Sequence, residues 1–288
     1  MMSAYPANLL EALRAEPGVK LSERATKDAD WWPGDAPQDK KAAEKRMEQL
    51  AELLSNLQER LFAASVAGGQ GPAVLLILQG MDTSGKGGTV RHVLGMLDPQ
   101  GVKHHAFKAP TEEEAAHDFL WRITKQFPAG GLVGVFDRSH YEDVLVAKVK
   151  GFATPDAVES RYGKIVDFEK QLIEQGIHPI KVMLHISREE QFERLSARLE
   201  RADKHWKYSP GDVDDRLLWD DFQSAYEVAI NRTDNQSAPW HIVPADQKWK
   251  ARLCVAELLL ATLERVAPDW PVATFDVEQE KARLAAAK

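Results

Sequence analysis

The stretch Val74-Leu75-Leu76-Ile77-Leu78-Gln79-Gly80-Met81-Asp82-Thr83-Ser84-Gly85-Lys86-Gly87-Gly88 constrains this chain more than any other. Its aliphatic run reads as a strand buried on both faces, the habit of parallel sheets. Val90, Val93, Leu94 and Leu97 then fall on one face of a helix. Strand, glycine-rich turn and helix form the context of a phosphate-binding loop. Gly80, Gly85, Gly87 and Gly88 let backbone N–H groups turn toward an anion. The helix N-terminus adds partial positive charge, and Lys86 a full one.

The usual pattern places Ser or Thr after the lysine, as a magnesium ligand. Here that position is Gly87, and the loop carries the carboxylate of Asp82 instead. A carboxylate in a phosphate loop repels phosphate unless a divalent cation lies between them. Asp82 is therefore expected to hold magnesium; the plainer alternative is a helix cap.

A chain of 288 residues, 44% hydrophobic, can bury one large α/β core. Its formal net charge of −7 argues against general nucleic-acid binding, so a polyanion must meet a local basic patch. The single cysteine, Cys254, excludes an intrachain disulfide and sits in an apolar helical pattern. Met1 to Leu13 lacks an apolar signal core, and Ala73 to Leu78 is too short to span a bilayer. The expectation is a cytoplasmic protein with no membrane partner.

Residues 1–37 hold several prolines and the pair Trp31-Trp32, and read as an irregular arm anchored by those tryptophans. Residues 38–288 read as one domain. Helices are expected over Lys40 to Ala64, Thr111 to Phe127, Pro155 to Gln175, Val213 to Ile230 and Lys248 to Val266. Strands are expected at 74–78, 102–108, 132–136, 180–186 and 240–243. The tail after Pro268 is expected to fray. Alternating strands and helices mean a five-stranded parallel sheet with helices on both faces. The helical excursion 188–239 is the expected lid.

The third strand ends at Asp137. Ligands gather at the carboxyl ends of parallel strands, so Asp82 and Asp137 can face one metal; a cap is again the alternative for Asp137. Arg138 offers a planar fork for phosphate, or a surface ion pair. In the lid, Arg194, Arg198 and Arg201 share a helix face opposite Phe192, Leu195 and Leu199, and Lys204, His205 and Lys207 extend the charge. A polyanion track explains this set. Glu190–Arg194 and Glu200–Lys204 pairing is the competing account.

Together these motifs resemble the polyphosphate kinase 2 family. The resemblance rests on Gly80-Met81-Asp82-x-x-Gly85-Lys86, Phe107-Lys108-Ala109-Pro110-Thr111, Asp118-Phe119-Leu120-Trp121-Arg122, Arg138-Ser139-His140-Tyr141-Glu142-Asp143-Val144-Leu145, Lys204-His205-Trp206-Lys207, Leu218-Trp219-Asp220-Asp221 and Ala238-Pro239-Trp240. It covers roughly residues 40–265 and is closest to the class III enzymes, described as phosphorylating nucleoside mono- and diphosphates. Thr83-Ser84-Gly85-Lys86-Gly87-Gly88, where that class has Ala-Ala-Gly-Lys-Asp-Gly, and Asp137, where it has Asn, are departures.

The resemblance implies a thymidylate-kinase-like P-loop kinase fold with a helical lid, and magnesium, with manganese as substitute. It implies polyphosphate as phosphoryl donor, AMP or ADP as acceptor, and a homodimer or homotetramer. By position, Asp82 and Asp137 resemble the metal-linked carboxylates, and Lys86 and Arg138 the phosphate binders. Lys108, Tyr141 and Glu142 fall on the nucleotide side. Two other readings stay open: an ATP-dependent nucleoside monophosphate kinase, and a non-catalytic nucleotide-binding switch.

Overall fold

The computed structural model describes residues 5–27, 30–68 and 71–287. Five parallel strands, β1 (Ala73–Gln79), β2 (Val102–Ala106), β3 (Val133–Asp137), β4 (Ile177–His185) and β5 (Trp240–Pro244), lie in the order β2-β3-β1-β4-β5. Every residue of β1, the central strand, is buried, which is why its sequence is a continuous apolar run. Truncating one of its leucines to alanine would cost about 2–5 kcal/mol.

Helices α1 (Tyr5–Leu13), α2 (Lys40–Gly68), α3 (Lys86–Val93) and α11 (Lys248–Val266) gather on one side of the sheet. Helices α6 (Val146–Val149), α7 (Pro155–Glu174) and α10 (Trp219–Thr233) pack together on the other. Short helices α4 (Glu112–Ala115) and α5 (Trp121–Thr124) follow β2, where the sequence predicts one longer helix. The Thr111 capping box starts α4 as its Thr-x-x-Glu spacing requires. Helices α8 (Arg188–Glu200) and α9 (Gly211–Leu217) precede α10, and α12 (Val277–Ala286) closes the chain, largely exposed. Cys254 is buried in α11, and burial pushes its thiol up, out of reactive range. No helix among the described residues is long and apolar enough to cross a membrane.

Two sequence expectations are corrected. The arm is not irregular throughout, because α1 packs Leu9 and Leu13 fully into the core. Tyr5 and Arg46 bond to Glu257 of α11, and Ala15 N–H donates to Trp240 O of the edge strand at 2.8 Å. Trp32 does anchor the arm, edge-on to Trp249 with centroids 6.2 Å apart. Part of the stretch 188–239, expected as a lid, is instead built into the core. Trp219, Phe222, Ala225, Tyr226 and Ile230 of α10 are buried, so this helix belongs to the core. The segment without such anchorage is the end of α8, the turn Ala202–Lys207 and α9. Phe192 and Leu199 of α8 are exposed, and only Leu195 of the expected apolar face is buried.

Candidate active site

The register of β1 and β3 pairs Leu78 with Asp137, bringing the glycine loop and the Asp137-Arg138 corner side by side at the carboxyl ends of the strands. Gly80 has φ 147°, and a Cβ there would come within 2.7 Å of Leu184 O, so only glycine fits. Thr83 and Arg138 both hold φ of 64° without being glycine. Such strain costs about 1–3 kcal/mol each and concentrates at functional sites. Helix α3 begins at Lys86 with Gly85 as a cap that has no side chain. Its first N–H groups are therefore left for an anion. Lys86 Nζ arches back over the loop to Gly80 O at 2.6 Å.

Arg138 Nη2 donates to Asp82 Oδ1 at 2.9 Å. Burial alone would lower the Arg138 guanidinium, but the carboxylates of Glu142, Asp82 and Asp137 outweigh it and hold it above its ordinary value. Glu142 is pushed up by burial, with Arg138 and Lys86 opposing. The Gln79 amide fits when its nitrogen donates to Glu142 Oε1 (2.9 Å) and its oxygen accepts from Ser139 Oγ (3.1 Å). Tyr226 of α10 accepts from the Gly80 N–H at 3.1 Å. One alternating-sign cluster thus links the loop, the β3 corner and α10.

Two cavities flank the loop. The first, about 510 Å³, is lined by Asp82, Lys108, Arg138 and Glu142, with Lys150 and Asp215 farther round. The second, about 550 Å³, is a groove along the outer side of the loop, lined by Gly85, Gly87 and Gly88. Its wall is mostly basic, with Glu190 and Glu193 among the cations: Arg198, Lys204 and Lys207 from α8 and the turn after it face Arg91, Lys248 and Arg252 from α3 and α11. The last three were missed in the sequence. Their signal was position, since Lys248 and Arg252 lie in the first turns of a helix that follows a strand's carboxyl end.

One candidate residue is placed elsewhere than expected, and a second is engaged by the protein itself. Tyr141 is fully buried and does not reach the nucleotide-side cavity. Its hydroxyl bonds Glu169 (2.7 Å) and Thr233 (3.0 Å), beside the buried Lys181–Glu169 pair (2.7 Å). That network braces the loop after β3 from below. Arg194 lines the groove beside the phosphate loop, but its guanidinium is taken up by backbone carbonyls and a carboxylate. Its Nη1 donates to Thr83 O (2.8 Å) and Ser84 O (3.2 Å), and its Nη2 to Ala245 O (2.7 Å) and Asp246 O (2.9 Å). Its Nε takes Glu190 at 2.7 Å, the pairing that competed with a polyanion role in the sequence. Lys204 pairs with Asp203, not Glu200.

The family model for polyphosphate kinase 2 matches residues 37–270. The chain belongs to this family. The AMP/ADP-polyphosphate phosphotransferase of Meiothermus ruber is 43% identical, over 81% of this chain and 85% of that protein. The ADP-polyphosphate phosphotransferase of Rhodopseudomonas palustris is 39% identical, over 77% and 80%. The crystal structure of polyphosphate kinase 2 from Arthrobacter aurescens TC1 superposes with a TM-score of 0.91 at 49% identity, covering 98% of this chain and 96% of that one. As a polyphosphate kinase 2, the chain is a kinase-type transferase on a P-loop kinase-like fold.

Among the described residues no group of three or more His, Cys, Asp or Glu is arranged to hold a metal by itself. Asp82 and Asp137 fit a different habit. Magnesium commonly takes one or two carboxylates and completes its shell with water and substrate phosphate. Asp82, in the loop after β1, and Asp137, at the end of β3, would offer hard oxygens to such an ion.

Proposed function

We propose that this polyphosphate kinase 2 catalyses magnesium-dependent phosphoryl transfer between inorganic polyphosphate and nucleoside mono- or diphosphates, taking AMP and ADP to ADP and ATP. The observation that carries this reading is a single phosphate loop with a cavity on each side. The basic groove suits an extended polyanion, since its cations are spread over the lid, α3 and α11. The opposite cavity, with Lys108 and Glu142 on its wall, suits the nucleotide acceptor.

The N–H groups at the start of α3 and Lys86 would bind the donor phosphate at the divide. Arg138, tied to Asp82, would bind oxygens of the group in transit. An oxygen of the acceptor's terminal phosphate is already ionised at neutral pH, so nearby side chains need to orient it rather than deprotonate it. Asp82 and Asp137 would hold magnesium, which supplies charge neutralisation on the phosphate oxygens.

Incubation with magnesium, AMP or ADP, and either polyphosphate or ATP, followed by product separation, tests the proposal. Net phosphorylation of AMP and ADP from polyphosphate is expected. Transfer to AMP from ATP alone would turn the reading to an ATP-dependent nucleoside monophosphate kinase. The family resemblance also supports a homodimer or homotetramer, which sedimentation velocity would test.

A further inference from the structure

Helix α9 brings negative charge into a site built for polyanions. Asp212 and Asp215 lie one turn apart on it and share a face. Asp212 Oδ2 accepts from Arg198 Nη1 at 3.1 Å, and Asp215 Oδ1 lies 2.5 Å from Lys150 Nζ. Arg198 belongs to the basic groove, whereas Lys150 and Asp215 line the opposite cavity. One short helix therefore sends a carboxylate to a cation of each cavity.

Every residue of α9 is at least partly exposed. The helix is held by these two ion pairs and by Arg216, which donates to Arg188 O (2.7 Å) and Gln191 Oε1 (3.1 Å) of α8. Contacts of this kind exchange readily for equivalent contacts to a ligand, because no apolar core has to be opened.

We propose that Asp212 and Asp215 are specificity-determining residues that stand in for substrate phosphate. Asp212 occupies Arg198 until the donor polyanion displaces it, and Asp215 occupies Lys150 until the acceptor's phosphate does. This rests on the phosphotransferase reading above and makes Lys150 a further acceptor-side contact. A terminal phosphate carries more charge and one more acceptor oxygen than a carboxylate, and a polyphosphate chain brings many charges at once, so a true substrate wins the exchange. A weakly charged anion does not, which makes the pairs a filter at the expense of affinity.

Calorimetric titration of the full chain in magnesium, with ADP alone and with polyphosphate alone, tests this. Asp215→Asn is expected to tighten ADP binding about two- to five-fold and leave polyphosphate unchanged. Asp212→Asn is expected to do the reverse. Asp214→Asn removes the same charge from an exposed position of α9 and is expected to shift neither ligand. Lys150→Ala is expected to weaken ADP at least about ten-fold. Unchanged or weakened binding in Asp212→Asn and Asp215→Asn overturns the proposal. So does a shift of both ligands together in either variant, or the same shift in Asp214→Asn. Wild-type protein that binds no polyphosphate would instead overturn the underlying function.

Discussion

Replacing Arg194 by alanine separates a residue that shapes the phosphate loop from one that touches phosphate. Its guanidinium serves four backbone carbonyls, those of Thr83, Ser84, Ala245 and Asp246, and the Glu190 carboxylate. Hydrogen bonds from a charged donor contribute about 1.5–3 kcal/mol each. The Thr83 and Ser84 carbonyls adjoin the groove and can recover water. The net loss is therefore about 2–5 kcal/mol, well below the sum of the bonds. A domain of ordinary stability, about 5–15 kcal/mol, stays folded. The loop does not keep its geometry, because Thr83 sits at a strained φ of 64° that these bonds help to impose. Misplacing catalytic groups by about 1 Å costs about 100-fold in rate. Arg194→Ala should therefore lower kcat by about 10²-fold, with a smaller change in KM for polyphosphate. Added guanidinium should restore part of the rate. Arg194→Lys should recover little, since an ammonium cannot span the four carbonyls. Steady-state kinetics on both substrates, with circular dichroism to confirm folding, decides the matter. A raised KM for polyphosphate with unchanged kcat would refute this reasoning and return Arg194 to direct polyanion contact.

Lys86→Ala and Asp137→Asn should each lower turnover by about 10²-fold or more with the fold intact, because charge at the strand ends is neutralised in transfer; near-normal rates in both would remove them from the site. Polyphosphate affinity should fall steeply with salt, and replacing Arg198, Lys207 and Arg252 together should flatten that slope in a binding titration. Tyr141→Phe should cost about 1–3 kcal/mol in denaturant unfolding, through the Glu169 and Thr233 contacts it loses, and leave the nucleotide KM nearly unchanged.

The strands and the loop were legible because their signals are local. Buried parallel strands appear as unbroken apolar runs, and the glycine loop follows the central one directly. Ser187, with Glu three residues on, has the local spacing of a helix cap and accepts the Glu190 N–H at 3.1 Å. Helix α1 was missed because a short segment offers too few turns for periodicity to show. The break between α9 and α10 was missed because Leu218-Trp219 contains no glycine or proline.

By itself, the sequence determined the sheet, the phosphate loop and the family motifs, and with them the class of chemistry. It assigned charge to the stretch 188–239 but not what that charge meets. Only the tertiary structure decided that Arg194 braces the loop, that Tyr141 lies beneath the site, and that Arg91, Lys248 and Arg252 complete the groove. The physical reason is distance along the chain. Arg194 meets loop carbonyls 110 and 111 residues away, and Tyr141 meets Thr233 92 residues away. A charged or phenolic side chain has the same local pattern whether it faces a ligand or a carbonyl; burial and partner come from the packing of distant elements.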